Sequence, residues 1–402
     1  MAVHHILHSK KNNMFIGKYF FKLLCATILF IGCKKQTRNY SQTYNGIHLV
    51  SSTPKRVLSK TQLISLYSSY GAASYIRNGI KTYAITYRTK DYNGIETIAS
   101  AAVIVPDSLG PYPLINYNHG TYFPSNDWRL PSYNNDYNSD INIGYMMASV
   151  GYVVVMPDYI GYGSTKNAEH NYCDYNNIAV NAIDAIRAAR EFCSNNSFIL
   201  KDKLFLTGWS EGGAVAMAVM KKIQSDFSGE FNITATAPLA GAYYGSFLAK
   251  LVLQMNTESP YINSYAWVIK TYNKTGSINK PLNYYFNEPY ASAINSSIES
   301  IIPKNPQVLF NNIFKQNYLN NTDPLIAEFA KHDLWNFKPS CKTILCQGQN
   351  DTYVPLINAQ KAYTEMNALG ADVSLVIYPG KGHGECIGDY LFTIYTSFEP
   401  LR

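Results

Sequence analysis

From Pro113 onward the chain alternates short apolar runs with stretches of helical periodicity. Leu114–Tyr117, Tyr152–Met156, Leu204–Gly208, Ile233–Ala237, Thr343–Gln347 and Val373–Tyr378 are mostly apolar and β-prone. Runs of this kind, separated by helices, predict parallel strands buried on both faces and joined by crossovers. Ile178–Phe192 carries Ala179, Ala182, Ile183, Ile186 and Ala189 on one face, which predicts a helix, and Ala214–Ile223 predicts another. Upstream, Ile80–Arg88 and Glu96–Val105 read as strands about Asp91-Tyr92-Asn93-Gly94, whose Asn-Gly pair is a hairpin signal. That hairpin is expected to be an antiparallel lead-in to the sheet. The fold class is therefore α/β, with a mostly parallel central sheet flanked by helices.

One block interrupts this rhythm. Residues 243–335 contain Pro260, Pro281, Pro289, Pro303, Pro306 and Pro324, several helical segments and no convincing strand. Connections between elements usually run to ~2–6 residues, so a block this long is expected to be a subdomain, a helical cap over the C-terminal edge of the sheet. The core then comprises residues 61–242 and 336–402. Residues 33–60 are polar, lack sustained periodicity and read as a tether.

The first 32 residues read as an export signal rather than part of the fold. Lys10, Lys11, Lys18 and Lys22 precede an apolar run from Leu23 to Gly32, too short for a spanning helix of ~20 residues. The run ends in Phe30-Ile31-Gly32-Cys33, followed by Lys34-Lys35. This resembles the lipobox of bacterial lipoproteins, and the resemblance implies lipidation at Cys33 and anchoring to a membrane of the bacterial cell envelope. Phe30 stands where such sequences usually have Leu.

Charge and cysteine content narrow the function classes. The formal charge of +7 includes the four lysines ahead of Cys33, leaving +3 for the remainder, too little for a nucleic-acid binder. Charged residues make up 15% of the chain and apolar ones 47%, as expected of a packed globular body. Beyond Cys33 lie Cys173, Cys193, Cys341, Cys346 and Cys386, an odd set in a compartment where disulfides form. No Cys-x-x-Cys or His-Glu-x-x-His pattern occurs, so no metal site is expected.

The candidate chemistry begins at Gly208-Trp209-Ser210-Glu211-Gly212-Gly213, between a predicted strand and a predicted helix. In a Gly-x-Ser-x-Gly elbow the serine sits on a tight turn with its hydroxyl projecting from the sheet edge. A serine hydroxyl needs a base, and the base an orienting carboxylate. His383, in Gly380-Lys381-Gly382-His383-Gly384, follows the last predicted strand, and Asp351 lies in the turn after Thr343–Gln347. Ser210, Asp351 and His383 thus follow in the required chain order. Oxyanion donors are expected from the backbone amides of Glu211 and of Thr121, with Gly120 beside it, in Asn118-His119-Gly120-Thr121 after the first parallel strand. The His119 side chain reads as a brace for that loop. In the cap, Tyr243, Tyr244, Phe247, Tyr261, Tyr265 and Trp267 are candidates to line an acyl pocket.

This order and spacing resemble the α/β-hydrolase superfamily from about Lys60 to the C-terminus. Asn118-His119-Gly120-Thr121, Pro157-Asp158-Tyr159-Ile160-Gly161-Tyr162-Gly163, His170-Asn171-Tyr172 and Asp184-Ala185-Ile186-Arg187-Ala188-Ala189-Arg190 together resemble its secretory lipase branch. Asn171 departs from the histidine-proline-tyrosine often found there. The resemblance implies an esterase or lipase acting on small-molecule or lipid esters without a cofactor. The elbow also resembles that of prolyl-peptidase-like hydrolases, for which a cap acid such as Glu258 would anchor a peptide amine. A binding protein on the same fold, without catalysis, is the third reading.

Overall fold

The molecule is described by a computed structural model covering residues 46–135 and 139–402. The run Val153-Val154-Val155-Met156 is almost wholly buried, and in a strand successive side chains point to opposite faces. Both faces of the sheet must therefore be covered. The elements that do this, in chain order, begin with β1 (Leu49–Leu58), α1 (Lys60–Ser68), β2 (Ile80–Lys90), β3 (Glu96–Pro106) and β4 (Tyr112–Asn118). Next come α2 (Ser139–Ser149), β5 (Val153–Pro157), α3 (Tyr175–Asn195), β6 (Leu200–Trp209), α4 (Glu211–Asp226) and β7 (Ile233–Leu239).

Six helices then intervene before the sheet resumes: α5 (Gly245–Gln254), α6 (Ile262–Thr275), α7 (Tyr290–Ser296), α8 (Pro306–Leu309), α9 (Asn312–Leu319) and α10 (Leu325–Lys331). The chain returns through β8 (Lys342–Gly348), α11 (Leu356–Ala368), β9 (Val373–Tyr378) and α12 (Ile387–Phe398). The nine strands of the described residues form one sheet in the order β1-β2-β3-β5-β4-β6-β7-β8-β9. β1, β2, β3 and β5 pair antiparallel in turn, and every pairing from β5 through β4 to β9 is parallel.

Two apolar cores lie on the two faces of this sheet. One collects α3, α4, α11 and the inserted helices, the other α1, α2 and α12. α3 shows why its sequence is helical: the Asp174 side chain caps its start, accepting from the Asn177 amide at 3.3 Å. Ile183 and Ile186 are fully buried, each worth ~2 kcal/mol of transfer from water. All five cysteines of the described residues are free and buried. Burial pushes the Cys346 thiol up to about 12 and the Cys386 thiol up to about 11. No helix among the described residues is long and apolar enough to cross a membrane.

The expected tether over residues 33–60 needs correction. Its second half is β1, paired along β2 at the sheet edge. An edge strand needs little apolar alternation, because its backbone ladder and polar outer face suffice. Pro54 is tolerated there for the same reason, beside a register shift between Pro54 and Arg56. The expected signal segment, Cys33 and the start of the tether lie outside the described residues.

The entry into β1 is held by a carboxylate. Glu191 of α3, itself buried, accepts from the amides of Ile47 at 3.0 Å, His48 at 3.0 Å and Leu49 at 2.6 Å. Glu191→Ala is expected to cost ~1–3 kcal/mol locally and to speed hydrogen exchange across residues 47–58 while leaving β5 protected. Unchanged exchange in β1 would show that this carboxylate does not hold the edge.

Candidate active site

Four of the parallel strands end at one edge of the sheet, and each delivers a piece of the site. β6 runs into Ser210, which caps α4 with φ +59° and ψ −121°. Few non-glycine residues hold a positive φ without compensation from their surroundings. Here the compensation is steric and local. A Cβ on Gly212 would lie 2.0 Å from the Asn118 carbonyl oxygen, and one on Gly208 would lie 2.4 Å from that of Gly212. The Ser210 amide donates to the Leu239 carbonyl at 2.8 Å, tying the turn to the end of β7.

The three side chains expected from chain order meet at this point. Ser210 Oγ is 2.8 Å from His383 Nε2, and His383 Nδ1 is 2.7 Å from Asp351 Oδ2. With Nδ1–H donating to the carboxylate, Nε2 is left to accept the serine proton. Asp351 is oriented by three further donors: Gln347 Nε2 at 2.8 Å, and the amides of Tyr353 at 2.8 Å and Val354 at 2.9 Å. The imidazole retains 11% side-chain exposure, so the hydroxyl it contacts is close to solvent.

Trp209 links the loops around the serine. Its Nε1 donates to the His383 carbonyl at 3.0 Å, and a Cβ on Gly120 would sit 3.1 Å from its ring. Thr121 Oγ1 lies 2.9 Å from the Tyr172 hydroxyl, which lies 3.2 Å from that of Tyr353. Loss of water around both phenols pushes their pKa upward, so the pair stays hydroxylic. His119 is buried between the rings of Tyr122 and Tyr159, at 4.4 and 4.2 Å. Its Nδ1 donates to the Gly120 carbonyl at 2.7 Å, which makes it a brace of that loop.

An apolar cavity opens at Ser210 and runs beneath the inserted helices, past Val252 and Leu253 of α5 and Val268 and Ile269 of α6, towards Phe314 of α9. Of the six aromatic residues singled out in 243–335, Tyr265 alone lines it. The others are committed elsewhere. Tyr243 is fully buried, Trp267 stacks on Tyr172 at 4.7 Å, and Tyr261 stacks on Tyr353 at 3.9 Å. Tyr244 packs against Phe247 and Trp335. The rest of the cap wall, aliphatic residues together with Tyr272, Phe310, Phe314, Tyr318 and Phe329, has no sequence signal of its own, because apolar residues on amphipathic helices look the same whether they face a core or a cavity. Tyr172, Cys173 and Glu211 also line the cavity. Among the described residues, no group of three or more His, Cys, Asp or Glu side chains is placed to hold a metal ion.

This architecture is shared with known structures. A protein of Legionella pneumophila superposes with a TM-score of 0.80 at 24% identity, over 88% of this chain and 98% of its own. The rice cell wall degrading esterase LipA of Xanthomonas oryzae gives 0.76 at 23% identity, over 88% and 99%. Candida antarctica lipase A gives 0.63 at 16%, over 89% and 83%. The chain has the α/β-hydrolase fold. Within that fold the elbow, the Asp351 turn and the His383 loop occupy the C-terminal ends of β6, β8 and β9. The prolyl oligopeptidase family matches residues 138–254, from α2 to the end of α5. A search of curated proteins finds no relative of the chain.

Gly212→Ala should destabilise the protein by ~3 kcal/mol or more, since overpacking against backbone cannot be relieved by a rotamer change. Gly388→Ala, in α12 with nothing within 4 Å of the added carbon, should leave stability unchanged or raise it by up to ~1 kcal/mol. Denaturant unfolding of both variants checks this, and equal effects would contradict it.

Proposed function

We propose that this protein is a serine hydrolase that cleaves carboxylic esters through an acyl-enzyme on Ser210. One observation carries the reading: the hydrogen-bonded sequence Ser210 Oγ, His383, Asp351 at the mouth of an apolar cavity. Ser210 Oγ attacks the acyl carbon while its proton passes to His383 Nε2, and Asp351 stabilises the imidazolium through Nδ1–H. The carbonyl oxygen becomes an oxyanion, received by the backbone amide of Glu211 and by that of Thr121, with Gly120 beside it. The bond to the alcohol oxygen breaks as His383 returns the proton to it. Water, deprotonated by the same imidazole, then attacks the acyl-enzyme and releases the acid and free Ser210. No cofactor takes part.

The cavity supports an ester with an apolar acyl group. Its walls from α5, α6 and α9 are aliphatic and aromatic, which suits a hydrocarbon chain and offers little to a peptide backbone. The names of LipA and lipase A point the same way. The match of the prolyl oligopeptidase family to residues 138–254 favours a second reading, a serine peptidase. Against it, Glu258 is exposed and outside the cavity lining, and the acid that does line the cavity, Glu211, is bonded to His170. Attachment to a bacterial envelope membrane through a lipidated Cys33 belongs to the same proposal and rests on the N-terminal sequence. It makes lipid or small-molecule esters at a membrane surface the natural substrates.

A fluorophosphonate probe is expected to label the folded protein once, at Ser210, and to leave Ser210→Ala unlabelled. His383→Ala should fold normally and lose ~10⁴-fold or more in kcat on p-nitrophenyl esters. In a panel of acetyl to dodecanoyl esters and aminoacyl amides, esters of medium chain length should turn over fastest, and Val268→Trp should shift the optimum to acetyl. Labelling of Ser210→Ala, or preferred cleavage of the amides, would overturn the ester reading. Metabolic incorporation of an alkyne fatty acid, lost in Cys33→Ser, tests the anchor; equal incorporation in both would refute it.

A further inference from the structure

Directly behind the elbow lies a buried pair of polar side chains that the acyl-transfer scheme does not use. His170 and Glu211 are almost fully enclosed, with 2% and 1% side-chain exposure, and His170 Nε2 is 2.9 Å from Glu211 Oε1. His170 Nδ1 is 2.8 Å from the carbonyl oxygen of Ile160. A carbonyl only accepts, so Nδ1 carries a hydrogen. A neutral imidazole protonated there would turn a lone pair towards the carboxylate. The Nε2–Oε1 contact therefore needs one further proton, on the ring or on the carboxyl group.

The surroundings hold both partners in place. A Cβ on Gly161 would lie 2.4 Å from the His170 backbone, so the turn after Ile160 packs against it without a gap. The imidazole is walled by Tyr162 at 4.7 Å and Trp267 at 5.6 Å. Glu211 Oε2 is buried and has no partner among the described residues, so Oε1 alone anchors the side chain. Two residues on, Tyr172 reaches the Thr121 hydroxyl. The segment from His170 to Tyr172 thus touches the residue at each oxyanion position.

We propose that His170 is a positioning residue for the oxyanion hole. It acts through the Glu211 side chain on the Glu211 backbone amide, the first amide of α4, which the helix ladder leaves free. The inference rests on the reading of Ser210 as nucleophile. A side chain anchored at its far end restricts the torsions of its own backbone, so the amide direction is set before substrate arrives. Preorganised donors contribute most when they need not reorient as the oxyanion forms.

The test uses the whole enzyme with three variants: Glu211→Ala, Glu211→Gln, and the double variant His170→Phe with Glu211→Met. Glutamine can supply its own amide hydrogen to a neutral imidazole, so it should keep at least tenfold more activity than alanine. The double variant removes both buried polar partners together, which should restore most of the stability lost in Glu211→Ala. Three readouts are taken: Tm, kcat and KM for a short p-nitrophenyl ester, and affinity for a trifluoromethyl ketone. Ser210 Oγ adds to the ketone carbon, the proton passes to His383, and the former carbonyl oxygen is left as an oxyanion.

In Glu211→Ala and in the double variant, kcat should fall ~10- to 100-fold with KM within about twofold, and ketone affinity should fall by the same factor. Recovery of kcat together with Tm in the double variant would overturn the proposal and leave the pair a packing device. So would ketone affinity equal to wild type in every variant. Failure of the ketone to inhibit the wild-type enzyme at all would instead remove the nucleophile reading and this inference with it.

Discussion

At the start of α4 the chain passes so close to the end of β4 that a methyl group on Gly212 would meet the Asn118 carbonyl oxygen. Asn118 pairs with Gly208 in the parallel register of β4 and β6, and beside this close approach the turn at Ser210 takes its positive φ. The rest of the site depends on it. With the serine raised from the sheet edge, the loop after β4 lies on one side of it and the loops after β8 and β9 on the other. Ligand sites in open α/β sheets form in the crevice at this carboxyl edge.

The elbow is also supported from beneath. The Tyr390 hydroxyl of α12 shares its one hydrogen between the carbonyls of Ala237 at 2.7 Å and Gly208 at 3.0 Å, accepts from the Gly208 amide at 3.3 Å and contacts the Thr207 hydroxyl. A buried phenol that both donates and accepts hydrogen bonds at one point is held firmly. It joins the helix that follows the His383 loop to the strand that carries Ser210. Trp209 makes the complementary link from above, through the His383 carbonyl. Two aromatic residues, Tyr390 and Trp209, thus brace the Ser210 turn against the segment that carries His383.

The parallel strands, the hairpin and the convergence of Ser210, Asp351 and His383 were legible because their signals are local or follow chain order. Val153–Met156 is apolar whatever surrounds it, and an elbow motif names its own strand and helix. Features that depend on tertiary partners were not legible. β1 is polar and read as a tether because its pairing with β2 and its contact with Glu191, 142 residues away from Leu49, leave no periodic trace. The cavity wall is aromatic as well as aliphatic, but apart from Tyr265 its cap aromatics are Tyr272, Phe310, Phe314, Tyr318 and Phe329, beside Val252, Leu253, Val268 and Ile269. His170 was noticed only as part of a short resemblance, since nothing in the local sequence reports that its ring meets Glu211.

On the function proposed above, the geometry at the elbow makes Ser210 a nucleophile that carries the acyl group of an ester. Acid-quenched turnover of a slowly deacylating ester, followed by mass spectrometry of the digested protein, tests this most directly. The acyl mass is expected on the peptide containing Ser210, appearing within the first turnover and disappearing as substrate is exhausted. Steady hydrolysis with the acyl group on no peptide, or on a residue other than Ser210, would contradict it.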